Sequence, residues 1–275
     1  MSAREWASGG CEAFQNGKLV KAKGLFSRAA EQDPNDFRVR ANLARTIEQS
    51  GDRQEAILHM QQAVDLSNGD PRLRLELGEM YLAAGQWFPA RRQVQLLLES
   101  NNRNAPAWAL SGKTHKAKGK YQEALADFQK ALGYEPELED VQMQIVETYG
   151  KIGQPLRALS AVEQVLSKYP VDDQPEQGVL AKSVALMELK QIGPAIDLLE
   201  TASQKERPSS EVFVRLSNAQ ILAGQESQAR LTLNRGKEKF PHLAVFDQLA
   251  NELQSGKKRV ASMGGAFPSN GTFSR

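Results

Sequence analysis

Residues 106–136 carry two apolar stripes at helical spacing. In "PAWALSGKTHKAKG", Trp108, Gly112 and His115 recur at i, i+4 and i+7, which is one face of a helix. In "KYQEALADFQKALGYEP", Tyr121, Ala124, Phe128 and Ala131 repeat the pattern. Gly119 stands between the stripes, where a helix stops and the chain turns. Pro136 breaks the chain after the second stripe. The pattern predicts a helix, a tight turn and a second helix. Helices cross at the near end of the usual ~8–10 Å range only where side chains are small. Gly112 and Ala124 are therefore expected to meet at the crossing, with Trp108 and Phe128 filling its flanks.

The same phrase recurs along the chain. Segments beginning at Ala22, Ala56, Ala90, Ala124, Ala158, Ala195 and Ala229 align, with leading alanines 34 residues apart four times, then 37, then 34. The wider step places three extra residues around "PVDDQPEQG", Pro170 to Gly178, read as a loop insertion. Lys182 follows at an interhelix position, where its charge is costly unless the stem snorkels to water. That pair is expected to be the loosest. After the last pair, Val245, Leu249 and Leu253 recur at helical spacing and predict a capping helix over 242–255. Residues 256–275 are rich in Gly, Ser and Pro without sustained periodicity and are expected to form a disordered basic tail.

A 34-residue helix–turn–helix with small and aromatic residues at these offsets resembles the tetratricopeptide repeat. Leu77, Gly78 and Tyr81 match the family's signature in the third unit. Trp108, Gly112, Ala124, Phe128, Ala131 and Pro136 match it in the fourth, and Tyr149, Gly153, Ala158 and Pro170 in the fifth. Leu43, Ala44, Gly51, Ala56 and Ala63 match in the second. Counting back from Ala22 puts Trp6 at the tryptophan position and Gly10 at the small one. The resemblance implies an all-α right-handed superhelix of seven repeats over residues 3–241, with Ala90, Ala195 and Ala229 completing the signature.

The resemblance also implies a concave groove lined by the first helix of each repeat. Its register places Arg4, Ala7, Ser8 and Cys11 there, then Arg38, Asn42, Arg45, Arg72, Leu75, Glu76 and Glu79. Lys113 and Lys116 follow, then Met143, Leu180, Val214, Arg215 and Asn218. Arg4, Arg38, Arg45 and Arg72 give the first half a positive bias, and arginine forks suit carboxylates. The groove is expected to hold a protein or peptide, with acidic groups positioned by these arginines and apolar contact from Leu75, Met143 and Val214. The competing reading is a solvated face, with the arginines paired to Glu48 and Glu76. Asn42 is placed to bond a bound peptide's backbone. The lysine, asparagine and arginine set with which some family members clamp chaperone C-termini is missing, which disfavours a co-chaperone role.

Composition adds exclusions. Formal net charge is +2, and the basic excess lies in the last residues, with Lys257, Lys258, Arg259 and Arg275 against Glu252. No sequence-wide field calls for nucleic acid. No apolar run approaches the roughly 18 residues of a membrane span, and none near the start suits a signal peptide. The small-residue run before Cys11 resembles a lipidation site, but the repeat register makes it helix from Glu5 to Phe14, weakened by Gly9 and Gly10. The expected location is cytoplasmic. His59, His115 and His242 lack metal-site spacing. "GKT" at Gly112 falls in a helix, not a phosphate loop. Glu76 and Glu79 do not read as an acid–base pair. Lys257 to Ser262 resembles a basic-directed kinase site, and Asn270 opens a glycosylation sequon.

The leading expectation is a non-catalytic interaction scaffold or adaptor that needs no metal or cofactor. Nucleic acid is not expected as a partner, and the oligomeric state is not specified. One alternative is an assembly factor for bacterial envelope, pilus or polysaccharide secretion machinery. Another is a regulatory enzyme or nucleic-acid binder with an unrecognised site.

Overall fold

The structure, a computed structural model, describes residues 1–254. The expected tail, with its basic motif and sequon, lies outside the described residues. The chain is all-α, without strands among the described residues. It divides into two compact units, Met1–Leu138 and Glu139–Arg275.

The first unit holds α1 (Ala3–Gln15), α2 (Leu19–Gln32), α3 (Phe37–Gln49), α4 (Arg53–Leu66), α5 (Pro71–Ala83), α6 (Trp87–Ser100), α7 (Ala105–Ala117) and α8 (Tyr121–Tyr134). Local chemistry starts most of these helices. Ser2 and Glu5 form a capping box on α1, and Asp36, Asp52, Asp70 and Asn104 cap α3, α4, α5 and α7. The capping box explains why α1 begins two residues before its expected start. A left-handed residue ends each first helix: Gly17, Gly51, Gly85 and Gly119 all have positive φ.

Each pair closes through its small residues, with one difference from expectation. Phe128, not Ala124, occupies the space over Gly112: a Cβ there would lie 2.5 Å from the buried ring. Gly10 meets the Phe26 ring in the same way, at 2.7 Å. Trp108 does not fill the core flank. It is half-buried, its indole N–H donates to the Asn102 carbonyl, and Lys130 covers its ring at 4.0 Å. The odd-numbered helices form one layer, here the A layer, and the even-numbered helices form the B layer. The buried seam between the layers carries Phe26, Ile47, Met60, Leu77, Leu97, Leu110 and Phe128.

The second unit holds α9 (Glu139–Lys151), α10 (Pro155–Leu166), α11 (Glu176–Glu188), α12 (Ile192–Ser203), α13 (Ser210–Leu222), α14 (Glu226–Lys239) and α15 (Val245–Gln254). The wide step is taken up before α11, where Val171–Asp173 forms one 3-10 turn. Lys182 resolves its burial problem by snorkelling: its ammonium meets Glu163 on α10 at 2.9 Å. Phe246 and Leu249 of α15 are buried against Phe213 and Leu233. Phe240 stacks on Phe246 at 6.4 Å. The last helix starts at Val245 because the chain first turns at Pro241, with the Leu243 amide donating to the Phe240 carbonyl.

Candidate functional site

Polar side chains cross-link the A layer of the first unit. Arg45 on α3 makes a two-pronged bond to Glu76 on α5, with both N···O distances 2.8 Å. Its remaining fork donates to Asn42 Oδ1 at 2.7 Å, and the Asn42 amide points at Cys11 Sγ on α1, 3.8 Å away. Further along, Lys113 on α7 meets Glu79 on α5 at 2.7 Å.

These bonds revise the expected site. Arg45 is spent on Glu76, so its charge is not available as the repeat register implied. The Asn42 carbonyl is likewise occupied by Arg45. Lys113 is neutralised by Glu79, and the two glutamates hold separate cations rather than each other. Glu48, the other acid named as an arginine partner, makes no ion pair among the described residues. Burial pushes its carboxyl above the ordinary value, and the nearby Glu76 charge adds to the rise.

What remains basic is a row. Arg4, Arg38 and Arg72 are exposed and make no ion pair among the described residues. They stand 34 residues apart, in the first turns of α1, α3 and α5. Arg38 also lies over the Phe37 ring at 5.6 Å. Leu75 is half-buried beside this row, and Cys11 is exposed. Lys116 sits half-buried on α7 and is engaged with neighbouring groups.

Met143, Arg215 and Asn218 belong to the second unit. Arg215 is held by Glu211 one turn earlier, with Nε 2.8 Å from the carboxylate and only 12% of the side chain exposed. Met143, Val214 and Asn218 are half-buried, while Leu180 is fully buried in the core.

One polar cluster escaped sequence reading. Asp127, buried on α8, accepts from the Ser111 hydroxyl at 2.6 Å and bonds His115 Nδ1 at 2.8 Å. The serine donates to the aspartate and not to the histidine, so it is not set up as an activated nucleophile. The cluster ties α7 to α8. Gln220 and Thr232 occupy the same two repeat positions in α13 and α14 and bond at 2.8 Å. The available signal was a polar residue at the family's tyrosine position with another twelve residues later. Burial is the chief cause that lowers the pKa of His59, which stands at the same repeat position as Asp127.

No group of metal-ligating side chains occurs among the described residues. No described helix is long and apolar enough to cross a membrane. "GKT" lies inside α7, with Thr114 bonded back to the Leu110 carbonyl.

Tandem helix pairs with glycine turns and aromatic-over-glycine crossings define a helical repeat protein. Three tetratricopeptide-repeat family models match residues 9–71, 48–113 and 105–138. The chain is a tetratricopeptide-repeat protein. It is 26% identical over 159 residues to the TPR repeat-containing protein YpiA of Bacillus subtilis; the match spans 57% of this chain but only 37% of that protein. A tetratricopeptide repeat protein from Parabacteroides merdae shares the fold with a TM-score of 0.72, at 15% identity, over 92% of this chain and 98% of its own. Pseudomonas aeruginosa pilF aligns with a TM-score of 0.59 at 16% identity, over 78% of this chain and 97% of its own.

Proposed function

We propose that this protein is a non-catalytic scaffold that captures an acidic segment of a partner protein on the A layer of its first unit. Tetratricopeptide-repeat proteins bind proteins or peptides, and the unpaired row Arg4, Arg38 and Arg72 carries the finer reading. Arginine forks bind carboxylates in two-pronged geometry, and a row at constant spacing suits an extended peptide. Cross-links through Arg45–Glu76 and Lys113–Glu79 hold the helices under the row, so little order is lost on binding. Leu75 supplies apolar contact beside the arginines, and Met143 and Val214 offer it in the second unit. The proposed array runs over residues 3–241, with α15 as its cap, in a cytoplasmic setting. The likeness to pilF reaches only the fold and adds nothing for pilus assembly.

The test is capture of partners by the Arg38→Glu/Arg72→Glu double variant and by Arg45→Ala, read by mass spectrometry. The double variant is expected to lose acidic partners, while Arg45→Ala retains most of them. Equal recovery by the double variant would sink the basic-row reading.

A further inference from the structure

The four turns that join A-layer to B-layer helices lie along one edge of the first unit. Gln86 donates to Gln54 at 3.4 Å, linking the second and third turns. Lys118 stands 4.0 Å over the Trp87 ring, linking the third and fourth. Lys23 meets Glu55 at 2.7 Å, fixing α2 beside α4.

This edge is apolar and basic together. Val20 is 90% exposed, Phe88 66% and Trp87 40%, all in the first turns of α2 and α6. Trp87 and Phe88 pack edge to face at 6.1 Å, and neither belongs to the buried core. Lys18 and Lys21 flank Val20, and Lys118 covers Trp87. These lysines make no ion pair among the described residues. Of the acids at the same edge, Asp52 caps α4, Glu55 holds Lys23 and Glu123 pairs with Lys120, while Glu48 in the last turn of α3 makes no ion pair among the described residues. At the opposite edge, the B-to-A connections carry Asp33, Asp36, Asp70 and Arg103, and the first turns beside them carry Arg4, Arg38 and Arg72. The turn edge is thus set apart by exposed apolar side chains beside unpaired lysines.

We propose that the turn edge of the first unit docks on an anionic lipid bilayer. Val20, Trp87 and Phe88 enter the interface, and Lys18, Lys21 and Lys118 meet the headgroups. Tryptophan with flanking lysines suits the membrane–water boundary, because apolar bodies bury while ammonium groups stay wet. The apolar groups stand on projecting helix ends and not in a cleft, so they suit a yielding surface more than a shaped partner. Single-stranded nucleic acid is the poorer fit. It needs open ring faces for base stacking, and one face of Trp87 lies under Lys118.

The test is sedimentation of the full chain with phosphatidylcholine vesicles and with phosphatidylcholine–phosphatidylglycerol vesicles, against retention of a single-stranded DNA oligonucleotide. The chain is expected to sediment with the anionic vesicles alone, less so as salt is raised. At about 1 kcal/mol per lysine, Lys18→Ala/Lys21→Ala lowers partitioning about thirtyfold. Phe88→Ser lowers it at least about tenfold. Arg38→Glu/Arg72→Glu leaves it unchanged, which separates this edge from the peptide-binding row. A chain with Trp6→Phe and Trp108→Phe keeps Trp87 as its one reporter, and its emission shifts to the blue on anionic vesicles. Absence of sedimentation, equal binding to neutral vesicles, insensitivity to both edge variants, no spectral shift or preference for the oligonucleotide would each overturn the proposal.

Discussion

Glu48 is a carboxylate in an unfavourable place. It is half-buried on α3, close to the Glu76 charge, and its carboxyl is held above the ordinary value of 4.5. The folded protein therefore binds this proton more tightly than the unfolded chain does. Its contribution to stability is complete below about pH 4.5 and is lost as pH rises through the raised value. At neutral pH the charged side chain costs stability. Glu48→Gln is expected to melt at a higher temperature than the parent at pH 7, with the gap closing as pH falls toward 4.5. An unchanged or lower melting temperature at pH 7 would contradict this account. Glycine provides a second contrast at the same scale. Gly112→Ala would drive a methyl into the buried Phe128 ring, costing roughly 1–3 kcal/mol. Gly24 lies exposed within α2, with nothing within 4 Å of an added Cβ. Gly24→Ala is expected to gain up to about 1 kcal/mol of helix stability in denaturant titrations.

At the level of the helix pair, the turn shows where sequence logic is kept and where it is strained. The left-handed position that ends each first helix falls at Gly17, Gly51, Gly85, Gly119 and Gly153, then at Lys190 and Gly224. Six are glycine; Lys190 holds φ of 63°. Such a conformation costs a side-chain-bearing residue about 1–2 kcal/mol. Lys190→Gly is expected to stabilise the protein by about 1 kcal/mol, while Gly153→Lys destabilises it by a similar amount; equilibrium unfolding of both checks the pair. The turns, like the helices, were legible because their spacing is that of the leading alanines. Packing was less so. Periodicity assigns a face, but side chains lean along the helix, so it does not say whether Phe128 or Ala124 fills the gap over Gly112. Arg45 illustrates the same limit at the site: its partner, Glu76, is 31 residues away in the next repeat. The competing reading of a solvated face names Glu76 as an arginine partner, but a signature read one repeat at a time does not say which arginine it takes. Arg4, Arg38 and Arg72 were legible as a row, because they share one repeat position.

Across the whole molecule, energetics should be local. In a repeat array each pair gains stability from its neighbours, so damage at one end loosens that end first. Among the described residues, α15 is the last covering element of the second unit. Phe246 is 1% exposed, its ring fills the space over Gly236, and it packs with Phe213 and Leu233. Phe246→Ala removes that ring and leaves a cavity, at roughly 3–5 kcal/mol. The loss is not expected to spread evenly. Amide exchange should quicken in α13, α14 and α15, where backbone protection depends on this cluster. Helices α1 to α6 share none of its contacts and should keep their parental exchange rates. A uniform rise in exchange from α1 to α15 would mean that the protein opens as one cooperative body, and the nearest-neighbour account of its stability would fail.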